Sequence, residues 1–183
     1  MRDAVIVSTA RTPIGKAYRG AFNDTQGQAL IGHAIQHAVK RAGLDGSEIE
    51  DVVIGSALQQ GSTGGNIGRQ AAIRAGLPVT VAGMSSDRQC ASGMMAIATA
   101  AKQVISDGMN IAIGGGVESI SLVQNDKMNR FRMGDPWIKE NKPALYMSML
   151  ETAEMVAQRY GVSREEQDAY ALQSQQRTAA AQE

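Results

Sequence analysis

The chain has 183 residues, of which 43% are hydrophobic; its 18 basic and 18 acidic side chains cancel, and it holds a single cysteine. One cysteine excludes an internal disulfide scaffold and a cysteine-based zinc cluster, and it favours a reducing compartment. The neutral balance lacks the basic surplus that nucleic-acid binding needs. The sequence contains no uncharged apolar run of about 18 residues, so we expect no membrane span and a cytoplasmic location.

The amino-terminal segment MRDAVIVSTARTP carries Asp3 and Arg11 around a short apolar run. It lacks the long apolar region and the small-residue cleavage site of a secretory signal. We therefore predict a first strand at Ala4–Ser8. A helix over Gln26–Ala42 follows, because its apolar residues recur at helical spacing and Gly43 provides a stop signal.

The next segments continue the alternation of β-branched runs and helix-period stretches. This order, β-α-β-α-β-α-β, predicts an α/β fold with a parallel sheet. The predicted elements are a strand at Asp51–Ala57, a helix at Asn66–Ala75, a strand at Val81–Ser86, a helix at Cys90–Ser106 and a strand at Asn110–Gly116.

Beyond Ser119 the composition becomes more polar and loses its period, which indicates an excursion from the sheet. Two helices are predicted after it, about Met149–Tyr160 and from Ser163 onward. Ser163 and Glu166 have the spacing of a capping box. The last residues carry no helix stop signal, so we expect the 183 residues to be part of a larger protein.

The segment Asp87–Gly93 places the single thiol, Cys90, where a short strand turns into a helix. Unpaired N–H groups at a helix start favour a thiolate, and the small residues Ala91 and Ser92 leave room for a carbonyl group. The pattern thus indicates a nucleophile. The alternative is a small buried hydrophobe, since free cysteine is often buried and no base is evident nearby in the sequence.

Other candidate sites have simpler interpretations. His33 and His37 have metal-ligand spacing but lack a third ligand, so we interpret them as flanking residues of a helix. The glycine-rich segments 61–68 and 114–116 lack the features of phosphate and dinucleotide loops, which favours tight turns or close packing. Three basic residues lie close together in the polar stretch: Lys127, Arg130 and Arg132. They could contact a phosphorylated ligand or another subunit, but we favour a solvated loop, because charge clusters usually lie on the surface.

Four segments together resemble the thiolase family, the acyl-CoA C-acyltransferases. In chain order they are VSTARTPIGKAYRGAF, DRQCASGMMAI, GGGVESIS and TAEMVAQRYGVSREEQDAYALQSQQR. The resemblance implies a thiolase-like fold of two similar halves, each built on a mixed five-stranded sheet. Residues 1–118 match the first half and residues 119–183 the beginning of the loop domain inserted into it.

The resemblance also implies chemistry. Cys90 corresponds to the nucleophile that takes an acyl group from a 3-ketoacyl-CoA or acyl-CoA, and its N–H to one oxyanion donor. Met149 corresponds to a substrate-binding methionine near the pantetheine channel. Its neighbours depart from the family pattern: Ser148 stands where many members have His, and Leu150 where they usually have Gly, which leaves the pocket's shape open. The implied substrates are coenzyme A thioesters, with no further cofactor and no metal.

The remaining catalytic groups of the family lie in its later part: an activating His, an Asn–His pair and a second Cys. We therefore expect this chain to be incomplete as a catalyst and to need the rest of its own protein or a complementary C-terminal chain. The expected partners are acyl-CoA and CoA, in a dimer or tetramer. Two other functions stay open, a non-catalytic subunit that binds CoA thioesters or a partner chain, and a condensing relative of the family.

Overall fold

The computed structural model describes residues 2–183. Its strands are β1 (Asp51–Gly55), β2 (Ala82–Ser86) and β3 (Ala112–Gly116). Its helices are α1 (Gly27–Ala42), α2 (Ile67–Arg74), α3 (Ser92–Lys102), α4 (Ile120–Val123), α5 (Pro136–Asn141), α6 (Met149–Tyr160) and α7 (Arg164–Gln182). Most predicted elements are therefore present, with ends shifted by a few residues.

The sheet has three parallel strands in the order β2-β1-β3, so β1 is central. Asp51 pairs with Ala82 on one side and with Ala112 on the other. The residues Val52, Val53 and Ile54 have no solvent exposure. A continuous apolar run of this kind is what a parallel strand covered on both faces requires.

Helices cover both faces of this sheet. Alternate residues of β1 point to opposite faces, so Val52 and Ile54 pack with apolar residues of α1 and α2, while Val53 packs against α3. The first cluster includes Ile31, Ile35, Ile67, Ala71 and Ala72, and the second Ala96, Ala100 and Ala112. The result is the α/β sandwich that the sequence predicts.

Glycines at the strands let α3 lie very close to the sheet. A Cβ atom on Gly55 would overlap the backbone carbonyl of Ser92 and come within 2.6 Å of the Gly93 nitrogen. A Cβ atom on Gly114 would come within 2.6 Å of the Ile97 Cα. Close packing therefore explains the glycine at position 114, and the contact at Gly55 fixes the start of α3 against the carboxyl end of β1.

The predicted first strand at Ala4–Ser8 is wrong, since these residues form no strand. Val5, Ile6 and Val7 are 76%, 78% and 71% exposed. The Ser8 hydroxyl donates to the Ala38 carbonyl at 2.8 Å and so ties the end of the segment to α1. An apolar extended run becomes a strand only beside a partner strand, and no strand among residues 2–183 pairs with it.

The predicted helix at Cys90–Ser106 is also different in detail. It starts at Ser92, and its last part, Gln103–Asp107, is π-helical. The Gln103 amide donates to the buried carboxylate of Asp51 at 2.6 Å. The π-helical segment thus begins at a residue that makes a buried polar contact with the start of β1.

The chain divides into two compact units, Met1–Asn129 and Arg130–Glu183. The domain boundary at residue 118, which rests on the family resemblance, stays a prediction. In the second unit the capping box of Ser163 and Glu166 is confirmed by hydrogen bonds of 2.8 and 3.2 Å. Of the helices in residues 2–183, none combines the length and the apolar character needed to cross a membrane.

Gly55→Ala tests the close approach of α3 to β1. The added methyl group overlaps the backbone of Ser92, so we expect a loss in the free energy of unfolding of about 1–3 kcal/mol or more, measured by urea denaturation. Gly115→Ala is the matched control, because a Cβ atom there meets only the side chains of Ile54 and Ile31 at 3.5 and 3.7 Å. Equal stability of the two variants would contradict the packing described above.

Candidate active site

The candidate site lies at the carboxyl edge of the sheet. Cys90 follows the carboxyl end of β2 and precedes α3. The segment after β1 and the segment after β3 reach the same edge, because the three strands are parallel. Loops at this edge of a parallel sheet are where α/β proteins generally bind ligands.

Cys90 is an exposed free thiol. The alternative of a buried hydrophobe therefore does not describe this residue. The thiol does not belong to the helix as predicted: Ala91 is the N-cap and Ser92 the first helical residue. The sulfur is thus carried on the loop directly before the helix, where the side chain is accessible.

Backbone donors surround this loop. The helical hydrogen-bond ladder of α3 begins with the Met95 N–H donating to the Ala91 carbonyl at 2.9 Å. Within residues 2–183, the N–H groups of Gly93 and Met94 donate no hydrogen bond, and the backbone of Cys90 forms an isolated bridge with that of Arg88. Unpaired amides at a helix start carry partial positive charge and accept anions, so they suit a thiolate or an oxyanion.

The loop that carries the thiol has a constrained backbone. Gln89 has a φ of 48°, in the left-handed region that a residue other than glycine seldom adopts. Its N–H donates to the Asp87 carboxylate at 2.7 Å. The Ser92 hydroxyl accepts from the Arg88 N–H at 2.8 Å and donates to the Gln89 carbonyl at 2.6 Å. Both residues before Cys90 are thereby fixed.

Glu118 joins the segments that follow β1 and β3. Its carboxylate accepts hydrogen bonds from the Ser56 hydroxyl at 3.0 Å and from the N–H groups of Ala57 and Leu58 at 2.9 and 3.1 Å. Glu118 is not among the predicted site residues. The available signal was an acidic residue just after a glycine-rich buried strand, since a half-buried carboxylate needs donors.

A cleft of about 410 Å³ opens in the first unit beside the carboxyl end of β3. Residues 10–17 form one wall, residues 115–121 another, and Leu30, Ile31 and Ala34 of α1 its floor. Cys90 is not among the lining residues. The cleft therefore lies beside the carboxyl end of β3 and does not include the thiol.

The other candidate residues from the sequence, the two histidines and the basic group, are exposed. His33 and His37 are exposed on α1, with ring centroids 4.4 Å apart. Residues 2–183 contain no group of three His, Cys, Asp or Glu side chains able to hold a metal ion. The basic group is exposed at all three positions, Lys127, Arg130 and Arg132.

Met149 begins α6 in the second unit and is 76% exposed. Its substrate-binding role stays a prediction. Ser148 is the N-cap of this helix: its hydroxyl accepts from the Glu151 N–H at 3.2 Å, and its own N–H donates to the Glu151 carboxylate at 3.0 Å. Ser148 thus caps α6, while Leu150 is 82% exposed.

The fold and the site define an α/β protein with an accessible cysteine nucleophile candidate at a strand-to-helix junction. The family model described as "Thiolase, N-terminal domain" matches residues 4–183. The chain belongs to the thiolase family. The matched range includes Cys90 and both compact units.

Curated relatives agree with this assignment. The chain is 41% identical to the 3-ketoacyl-CoA thiolase of Bacillus subtilis over 181 residues, which are 99% of this chain and 46% of that protein. It is 37% identical to a probable acetyl-CoA acyltransferase of Staphylococcus aureus, covering 100% of this chain and 49% of the relative. It is 38% identical to the peroxisomal 3-ketoacyl-CoA thiolase 2 of Arabidopsis thaliana, covering 98% and 38%. The chain spans half or less of the length of these relatives.

Ser148→Ala tests the role of Ser148 as the N-cap of α6. Hydrogen bonds from the backbone N–H and the hydroxyl of Ser148 lower the pKa of Glu151 below its ordinary value of 4.5. The substitution removes the hydroxyl but keeps the backbone N–H, the larger of the two causes, so we expect only a partial rise of this pKa, as followed by NMR titration of the Glu151 carboxyl group.

The hydrogen bonds between Ser148 and Glu151 also make the stability of α6 depend on pH. A depressed pKa in the folded state means that the cap stabilises α6 above the ordinary pKa and that this contribution is lost as the pH falls through the folded-state value. Ser163→Ala, which removes the cap of α7 instead, should leave the titration of Glu151 unchanged. An unaltered Glu151 pKa in the Ser148 variant would refute the capping role.

Proposed function

We propose that this chain is the amino-terminal part of an acyltransferase that forms or cleaves 3-ketoacyl-CoA through an acyl-enzyme on Cys90. The observation that carries the proposal is the exposure of the only thiol beside unpaired N–H groups, inside the segment matched by the thiolase model. The names of the relatives, 3-ketoacyl-CoA thiolase and acetyl-CoA acyltransferase, support the substrate class.

In the cleavage direction, the Cys90 thiolate attacks the 3-keto carbon and forms a C–S bond. The carbonyl oxygen becomes an oxyanion, and we assign the N–H of Cys90 as one of its hydrogen-bond donors. The bond between C2 and C3 then breaks, and the released acetyl-CoA carbanion takes up a proton. In the second half-reaction the CoA thiolate accepts the acyl group and Cys90 is regenerated, which is ping-pong chemistry.

The proposal assigns the proton-transfer groups to polypeptide beyond residues 1–183, in the same protein or in a complementary chain. Two features of the first unit support a covering segment. The apolar residues Val5, Ile6 and Val7 are exposed, and β3 pairs only with β1, so its outer edge meets no strand from residues 2–183. We further propose a cytoplasmic dimer or tetramer with acyl-CoA and CoA as its small-molecule partners.

A second candidate function is a non-catalytic thiolase-like subunit that binds CoA thioesters or a partner chain. The neighbours of Met149 favour it: Ser148 is engaged in a helix cap, and Leu150 presents an exposed side chain where the family usually has glycine. Both features alter the predicted pantetheine site. Binding without turnover is the result that separates this function from the first.

The protein purified from its native source provides the test. Incubation with acetoacetyl-CoA should leave an acetyl group on Cys90, detected by peptide mass spectrometry, and Cys90→Ser should lower kcat by at least about 10⁴-fold. His33→Ala and His37→Ala serve as controls that keep full activity. An active preparation with unmodified Cys90 would contradict the proposal.

The intact mass of the same preparation decides where the remaining groups reside. A mass well above that of the 183-residue chain indicates that one polypeptide carries both parts. A mass equal to that of the chain, together with turnover, requires a separate complementary chain. Saturable binding of acetoacetyl-CoA with no turnover supports the non-catalytic subunit instead.

A further inference from the structure

The hydroxyl group of Ser92 is placed unusually for a first-turn helical residue. Ser92 is only 4% exposed. Its oxygen accepts from the Arg88 N–H at 2.8 Å and donates to the Gln89 carbonyl at 2.6 Å. Its backbone lies against Gly55 at the carboxyl end of β1. The residue therefore connects the rigid sheet with the two residues that precede the thiol.

The loop needs such a connection because its conformation is unfavourable by itself. Gln89 has a φ of 48°, and residues with a Cβ atom seldom adopt this region. The Gln89 carbonyl accepts from the Ser92 hydroxyl at 2.6 Å and from the Ser92 N–H at 3.0 Å, so Ser92 holds the peptide plane that enters Cys90. The carboxylate of Asp87 holds the peptide plane before Gln89, by accepting its N–H at 2.7 Å.

We infer that Ser92 is a positioning residue, which fixes the direction in which Cys90 presents its sulfur and its N–H, and that Asp87 assists it from the other side of Gln89. Neither side chain needs to touch a substrate for this role. The inference rests on the proposed function in one respect, since the consequence for catalysis presumes that Cys90 is the nucleophile.

The catalytic arm uses the protein from its native source with acetoacetyl-CoA and CoA. We expect Ser92→Ala to lower kcat by about 10–100-fold with KM nearly unchanged, because a displaced nucleophile slows the reaction without removing substrate contacts. Thr99→Val is the matched control: it removes a hydroxyl that donates to the Met95 carbonyl at 2.8 Å on the same helix. It should keep kcat and KM.

Asp87 gives a second pair of variants that does not depend on a buried position, because its side chain is exposed. Asp87→Asn keeps an oxygen acceptor for the Gln89 N–H, whereas Asp87→Ala removes it. We expect Asp87→Ala to lower kcat and Asp87→Asn to retain most of it. Equal activity of the two variants would overturn the assisting role of Asp87.

A structural arm needs no turnover. A positive φ places the amide and α protons of Gln89 close together, so NMR of the wild-type protein should show a strong nuclear Overhauser effect between them. Ser92→Ala should weaken it and Thr99→Val should not. Retention of this signal in Ser92→Ala, or its loss without a fall in kcat, would overturn the inference. Absence of turnover in the wild type, with the signal present, would instead overturn the proposed function alone.

Discussion

The close contact between the start of α3 and the end of β1 is the constraint on which the candidate site depends. Gly55 has no side chain, so the backbone of Ser92 can lie directly against the most buried strand of the sheet. Interiors packed at crystal-like density transmit such contacts with little slack. The loop that carries Cys90 therefore has one end anchored to the core, although the thiol itself is exposed.

The first unit also leaves an apolar segment near its amino terminus exposed to solvent. Val5, Ile6 and Val7 would each gain about 1.5–3 kcal/mol if their side chains were fully buried. In residues 2–183 this gain is not realised, because the three side chains stay exposed and no strand pairs with the segment. The cleft of about 410 Å³ lies at the carboxyl end of β3, whose outer edge pairs with no strand from residues 2–183. Both features are explained together if further polypeptide completes the sheet, as we propose.

The sequence predicted the elements whose burial depends on local pattern. The run at Val52–Ile54 and the helical stripe through Ile31 and Ile35 identify β1 and α1 without knowledge of their neighbours. The segment Ala4–Ser8 has an equally apolar pattern, but a strand exists only through its hydrogen-bonded neighbour, which periodicity does not specify. The same reason accounts for Glu118, whose donors lie about 60 positions earlier in the chain.

The position of Cys90 could be placed at a strand-to-helix junction from the sequence, but the start of α3 could not. The residue before the helix, Ala91, is no typical N-cap and makes no side-chain cap hydrogen bond, so no residue type marks Ser92 as the first helical position. The start is set by hydrogen bonds that close the loop onto Ser92. Left-handed backbone at Gln89 costs about 1–3 kcal/mol.

Three side-chain hydrogen bonds, two from Ser92 and one from Asp87, act on this loop. At about 0.5–1.5 kcal/mol each, they offset a cost of that size. Without the left-handed residue, the chain would enter the helix earlier and draw Cys90 into its first turn. The left-handed turn thus keeps the thiol outside the helix and exposed, directly before the first turn of α3.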